Sequence, residues 1–176
     1  MADLYYDGQT VRWPGRGTFK ASSGLPGNQE PRYQCEPDSG PIPEGNYKLL
    51  LAVDRDYAKE DGTDSCTLKP ARKMQYIPRG ADAGPCEPYW ANWGTRRVRL
   101  EAADAHTRAR CGVARSGFYL HDSTKGYSHG CIEVEGTFFN AYIAYFVAQP
   151  HRNRNTYLTL SVKYQTASTY GGTKKP

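Results

Sequence analysis

One stretch of the chain concentrates groups able to do covalent chemistry. It runs Phe118-Tyr119-Leu120-His121-Asp122-Ser123-Thr124-Lys125-Gly126-Tyr127-Ser128-His129-Gly130-Cys131-Ile132-Glu133-Val134. A cysteine attacks carbonyls as its thiolate, and an ordinary thiol with a pKa of ~8.5 is mostly protonated at neutral pH. An imidazole beside it can take that proton and leave an ion pair. His121 is the first choice for that base, with His129 the alternative. Gly130 permits a tight turn, so the amides of Gly130 and Cys131 can face a developing oxyanion. Asp122 or a backbone carbonyl can orient the His121 ring through its other nitrogen. Two other readings of the same residues are open: a zinc site made from His121, His129 and Cys131, and an inert, buried Cys131 that serves only as a small hydrophobe.

The elements that must position these groups are short. Gly117 to Leu120 reads as a buried strand that delivers His121 to a sheet edge. Upstream, Leu4 to Trp13 forms a hairpin around Asp7-Gly8. Gly17 to Ser22 adds a strand, and the turn Gly40-Pro41-Ile42-Pro43-Glu44-Gly45-Asn46-Tyr47 leads into a strand over Tyr47 to Val53. Asp54 to Gly94 is read as long loops around one or two short elements, and Thr95 to Leu100 alternates as a strand. After the motif, Phe139, Tyr142, Ile143, Phe146 and Val147 recur at helical spacing. This predicts a helix from Thr137, as N-cap, to Gln149, with Pro150 ending it and Phe139, Ile143 and Phe146 facing the sheet. Tyr157 to Tyr164 alternates strictly, with Leu158, Leu160 and Val162 on one face. The fold class expected is mainly β with one or two helices, in a single domain over residues 1–164. Residues 165–176 are polar and expected to fray as a flexible C-terminal tail.

The 176 residues suit one domain, and the net charge of +5 gives a mildly basic surface. That bias favours an acidic partner, but no nucleic-acid motif accompanies it, so nucleic acid is set aside. The longest apolar stretches are far too short to span a bilayer. The start, Met1-Ala2-Asp3-Leu4-Tyr5-Tyr6, has no basic or apolar run of the kind that marks a secretory leader. The cysteines are Cys35, Cys66, Cys86, Cys111 and Cys131. An odd count leaves at least one thiol unpaired in a monomer, and no CxxC pair suggests a zinc finger. Four of the five lie in loop-like sequence. Cys131 is expected to stay free, with Cys66–Cys86 the first guess for a bridge. His106 and His151 stand in charged, loop-like sequence and are expected at the surface.

Ser128-His129-Gly130-Cys131-Ile132, preceded by a strand-borne His, resembles the signature of L,D-transpeptidases of the YkuD type. The short spacing from His121-Asp122-Ser123 to Cys131 is more similar still to the type VI secretion L,D-transpeptidase effectors, and the turn Gly40 to Tyr47 is similar to an entry turn in the same families. The resemblance implies a curved sheet or sandwich of that type, no cofactor and no metal. It implies that Cys131 attacks the carbonyl between meso-diaminopimelate and the D-alanine of a tetrapeptide stem, with His121 as base and Ser128, His129 and Gly130 shaping the loop and oxyanion site. Water or an amine then completes carboxypeptidation or transpeptidation. One departure stands out: larger members carry an Arg two residues after the Cys, where this chain has Glu133. Arg115 and Lys125 are then candidates for a substrate carboxylate, and Tyr127 is a third substrate-binding candidate. The effector resemblance further implies delivery by a type VI secretion machine without a signal peptide, action in the periplasm of a target Gram-negative cell, and a cognate immunity protein. The competing assignments are a housekeeping L,D-transpeptidase and a papain-like peptidoglycan endopeptidase. The latter runs Cys before His, the reverse of His121 and Cys131.

Overall fold

The computed structural model describes residues 1–59, 65–112, 115–150 and 156–176. Strands β1 (Leu4–Tyr6) and β2 (Thr10–Trp13) form the expected hairpin. Asp7 sets its turn by accepting the Gln9 and Thr10 amides, each at 2.8 Å. Gly8 has φ +115°, and a Cβ there would come within 2.4 Å of Thr166 Oγ1, so both the turn and its neighbour demand glycine.

The sheet continues through β3 (Gly17–Ser23), β4 (Gly45–Leu50), β5 (Val53–Tyr57), β6 (Met74–Tyr76), β7 (Arg96–Ala102), β8 (Phe118–His121), β9 (Ile132–Val134) and β10 (Tyr157–Val162). The neighbour order is β4-β10-β1-β2-β3-β9-β8-β7-β6-β5. A further pairing, Tyr47 with Ala102 and Lys48 with Glu101, joins β4 to β7 and closes eight of the strands into a barrel. The fold is therefore mainly β, and closure pairs both sides of the eight barrel strands, with β6 and β5 extending outward from β7.

Alternation fills the barrel. Leu4, Val11, Leu49, Val98, Leu100, Phe118, Leu120, Ile132, Val134, Leu158 and Leu160 are all buried in one apolar cluster. Their neighbours on β7, β8 and β9 point the opposite way, because successive side chains in a strand face opposite sides of the sheet. Arg97, Tyr119, His121 and Glu133 consequently share the outer surface of three adjacent strands.

Two short helices, α1 (Glu87–Trp90) and α2 (Ala105–Arg108), precede the long helix α3 (Thr137–Ala148). His106 is exposed on α2; His151 lies outside the described residues. Helix α3 begins at the expected residue, but Gly136 occupies the cap and no side chain caps the end. Its buried residues are Phe138, Phe139 and Tyr142, while Ile143 and Phe146 lie half-buried against the core. Phe138 packs on Trp13 and Phe19, with ring centroids 5.9 and 5.5 Å apart. The face is thus rotated from the expected one, because these aromatic partners sit over β2 and β3. No helix among the described residues is long and apolar enough to cross a membrane.

A smaller apolar cluster of Ile77, Ala83, Cys86 and Trp90, with Cys66, Leu68 and Trp93 against it, covers the outer surface beside β7 and β8. The Cys66–Cys86 disulfide crosses this cluster, as expected, and Trp90 Nε1 donates to the Cys66 carbonyl at 3.0 Å. The C-terminal segment 165–176 departs from the expected fraying. It lies along β3 as a strap: the Ser23 amide donates to the Thr169 carbonyl at 2.9 Å, Thr169 Oγ1 donates to the Ser23 carbonyl at 2.7 Å, and the Lys175 amide donates to the Thr124 carbonyl at 3.0 Å. Polar composition argued for solvent, but these side chains and amides satisfy backbone groups that the barrel leaves unpaired.

The Tyr142 hydroxyl links α3 to the bend after β4. It donates to the Leu50 carbonyl and accepts the Ala52 amide at 3.0 Å. Tyr142→Phe should lower unfolding free energy by about 1 kcal/mol, the net scale of a hydrogen bond, since the Ala52 amide and the Leu50 carbonyl then keep only each other as partners. Urea melts followed by tryptophan fluorescence would measure this.

Candidate active site

The β8–β9 pair is parallel, with Leu120 opposite Ile132 and His121 opposite Glu133. The connection 122–131 carries the whole motif from the end of one strand to the start of the next. Cys131 therefore lies beside Tyr119, whose amide donates to its Sγ at 3.3 Å. Tyr119, His121, Cys131 and Glu133 follow one another on the same outer face.

The motif loop is held by hydroxyls from within it and from β3. Ser128 Oγ donates to the Cys131 carbonyl, and Ser23 Oγ donates to the same oxygen at 2.8 Å. The Gly130 amide is aimed at Ser128 Oγ, 3.4 Å away, and not into the cleft, so the expected oxyanion role of that amide does not fit this geometry. Gly130 itself is required: its φ is +122°, and a Cβ would come within 2.5 Å of Arg115 Nη2.

Cys131 is the unpaired cysteine, partly exposed in a cleft of about 370 Å³ lined by Asp38, Trp93, Arg115, Phe118 and His129, among others. The other four cysteines form Cys66–Cys86 and Cys35–Cys111. The second bridge anchors the loop that makes one wall of the cleft. Arg115 fastens the same loop, donating to the carbonyls of Gln34 at 2.6 Å, Pro41 at 2.7 Å and Gly40 at 3.2 Å. His129 is exposed, and its Nδ1 bonds the Asp38 carbonyl at 2.9 Å.

His121 lies deeper, behind Trp93, with ring centroids 5.5 Å apart. Its Nδ1 meets Ser123 Oγ at 3.1 Å. Burial pushes its pKa down to about 4, against the opposing pull of the Asp122 charge and the Trp93 backbone. Burial likewise pushes the Cys131 thiol up to about 11, opposed by the Tyr119 amide and the charges of Arg97 and Arg115. The resting pair is thus neutral thiol and neutral imidazole, in place of the ion pair expected from simple proximity. A neutral imidazole is still a competent proton acceptor at neutral pH.

Asp122 does not orient the His121 ring. Its carboxylate accepts the Thr95 amide at 2.7 Å, Thr95 Oγ1 at 2.7 Å, the Arg96 amide at 2.9 Å and Arg96 Nε at 3.1 Å, so it clamps the start of β7 to the end of β8. Lys125 is exposed and Tyr127 half-buried, and neither lines the cleft. Among the described residues, no three His, Cys, Asp or Glu side chains gather as a group able to hold a metal.

Sequence reasoning missed Trp93, Arg97 and Tyr119. Arg97 is buried, with its guanidinium 4.5 Å from the Trp93 ring and 4.3 Å from the Tyr119 ring, and Nε donates to Gln75 Oε1 at 2.9 Å. The available signal was the alternation of β7, which puts Arg97 and Arg99 on the face opposite Val98 and Leu100. No family model matches the chain, and no curated protein matches it.

Two outcomes follow from this geometry. Iodoacetamide labelling of Cys131 in the substrate-free protein should show a slow, level rate near neutral pH, where His121 takes the thiol proton as the sulfur attacks, and climb towards about pH 10 as free thiolate forms. A fast plateau at neutrality with no further climb would show a preformed ion pair. The double substitution Cys35→Ser with Cys111→Ser should leave the barrel folded by circular dichroism but loosen the cleft wall, seen as faster amide hydrogen exchange over residues 34–41.

Proposed function

We propose that this protein is a cysteine acyl-transfer enzyme of the L,D-transpeptidase type that acts on peptidoglycan stem peptides. The observation that carries the proposal is that Cys131, the cysteine left out of both disulfides, opens into a cleft and shares its strand face with a buried, neutral His121. The motif Ser128-His129-Gly130-Cys131 supplies the link to substrate class, and the finer fold assignment, an L,D-transpeptidase-like barrel, rests on the same resemblance.

In this mechanism His121 takes the thiol proton as Cys131 Sγ attacks the carbonyl between meso-diaminopimelate and D-alanine. The Arg115 charge beside Gly130 favours the negative charge that develops on the carbonyl oxygen. It also suits the carboxylates of the stem. Collapse of the tetrahedral adduct breaks the amide C–N bond, and the imidazolium returns its proton to the departing D-alanine amine. Water or another amine then resolves the thioester. The two disulfides suit an oxidising compartment, which agrees with delivery by a type VI secretion machine into a target periplasm and with an immunity protein that protects kin.

Mass spectrometry of tetrapeptide stems incubated with the purified protein should show tripeptide and free D-alanine, or exchange of a D-amino acid at the fourth position. Cys131→Ala should abolish both. His121→Ala should cost on the order of 10²-fold or more in rate, and His129→Ala less. Because the His121 pKa lies at about 4, kcat/KM should stay level through neutral pH and fall only as the pH approaches that value. A dead His129→Ala beside an active His121→Ala would transfer the base to His129. Release of sugar fragments would defeat the substrate assignment. In a susceptible Gram-negative host, growth arrest should require both an attached signal peptide and an intact Cys131.

A further inference from the structure

Glu133 occupies a position that no part of the mechanism above uses. It is fully buried on β9, directly across from His121. Four donors converge on its carboxylate: Ser123 Oγ, Thr173 Oγ1 from the C-terminal strap, the Gly126 amide at 2.8 Å and the Lys125 amide at 3.1 Å. Ser123 is shared, because the same Oγ also meets His121 Nδ1. A single hydroxyl therefore bridges the imidazole and a buried acid.

We propose that Ser123 and Glu133 form a relay that positions His121 and stabilises it when it becomes charged during the attack of Cys131. The argument is a count of hydrogens. A neutral imidazole has one N–H, whereas an imidazolium has two. Once His121 has accepted the thiol proton, Nδ1 must donate, and Ser123 Oγ is the acceptor beside it. A hydroxyl that accepts from Nδ1 sends its own hydrogen onward, and Glu133 is in place to receive it. The chain Nδ1–H to Ser123 to Glu133 is then complete, and no proton leaves the imidazole until the leaving amine takes it. Hydrogen bonds to an ionised acceptor are about twice as strong as neutral ones, which makes a buried carboxylate an effective end to the chain.

The surroundings support this direction. Burial holds the Glu133 pKa above its ordinary value, and its four hydrogen bonds, all made to the carboxylate, oppose that rise. The charged groups facing His121 are Asp122, which favours imidazolium, and Arg97 on β7, which opposes it. Asp122 is engaged by Thr95 and Arg96, so Ser123–Glu133 is the hydrogen-bonded route from the ring to a negative charge. Thr173 ties the relay to the strap, for its hydroxyl also meets Ser22 Oγ at 2.8 Å.

This inference rests on His121 serving as the base for Cys131, but its test does not depend on the peptidoglycan substrate. Iodoacetamide alkylation of Cys131 at neutral pH, in the full chain, reads the thiol–imidazole pair alone. Glu133→Gln and Ser123→Ala should each slow alkylation about tenfold, the scale of one charge-assisted hydrogen bond. Thr173→Val should slow it less. Simple removal of a nearby negative charge predicts the reverse for Glu133→Gln, since the thiolate would form more easily. Faster or unchanged alkylation in folded Glu133→Gln would overturn the relay. Ser123→Thr, which keeps the hydroxyl, should restore most of the rate, and failure to do so while the protein remains folded would also count against it. If the wild-type protein releases no D-alanine from stems yet the variants show the expected slowing, the substrate assignment fails and the relay stands.

Discussion

The parallel register of β8 and β9 is the constraint on which the site depends. Two short strands run side by side, and the two-residue alternation of each sends Phe118, Leu120, Ile132 and Val134 into the barrel. The same alternation places Tyr119, His121, Cys131 and Glu133 together on the outside. Slipping the register by one residue would exchange the two sets and bury the reactive groups in the apolar core. The barrel interior, packed on both strands, thereby fixes the chemistry of its outer face. Antiparallel neighbours could be joined by a two-residue turn. A parallel pair needs a longer connection, and here that connection carries the motif itself.

Burial decides the protonation states on this face. Trp93 and the small cluster around Trp90 exclude water from His121, and the thiol of Cys131 loses solvation beside Phe118 and Tyr119. Arg97 and Arg115 partly offset that loss for the thiolate, yet desolvation dominates. The resting site is electrically quiet, and in the proposed mechanism charge separates only when the proton moves. Such an arrangement guards the thiol against oxidation and stray electrophiles, since reactivity follows thiolate content.

Much of this was legible in the sequence where local signals suffice. The Asp7-Gly8 turn, the alternation of Tyr157 to Tyr164 and the periodicity after Thr137 each report their own element. The bridge Cys66–Cys86 and the free Cys131 also emerged from loop context and spacing. What was not legible depended on residues far apart in sequence. Closure of the barrel rests on β1 meeting β10 and β4 meeting β7, and no local pattern announces either pairing. The burial of Phe138 in place of Phe146 was set by Trp13 and Phe19. The strap 165–176 was hidden because it docks through backbone and hydroxyl groups, while composition reports mainly on apolar burial. At the site, Cys131 and His121 stood out by type and spacing. The partner of Asp122 and the position of Glu133 followed from cross-strand neighbours that only the folded chain brings together.

The strap and β10 come from the last stretch of the chain, whereas their partners β1 and β3 come from the first. The barrel therefore has no seam that can close early: residues 4–6 wait for residues 160–162, and Ser22 and Ser23 wait for Thr169 and Thr173. Long-range pairings of this kind form slowly and late. A growing polypeptide can assemble the β1–β2 hairpin as it emerges, but the barrel that carries His121, Cys131 and Glu133 stays open until residues 157–176 have been made. The order of synthesis thus leaves any copy that stops before residue 157 with the motif but without the closed barrel that positions it.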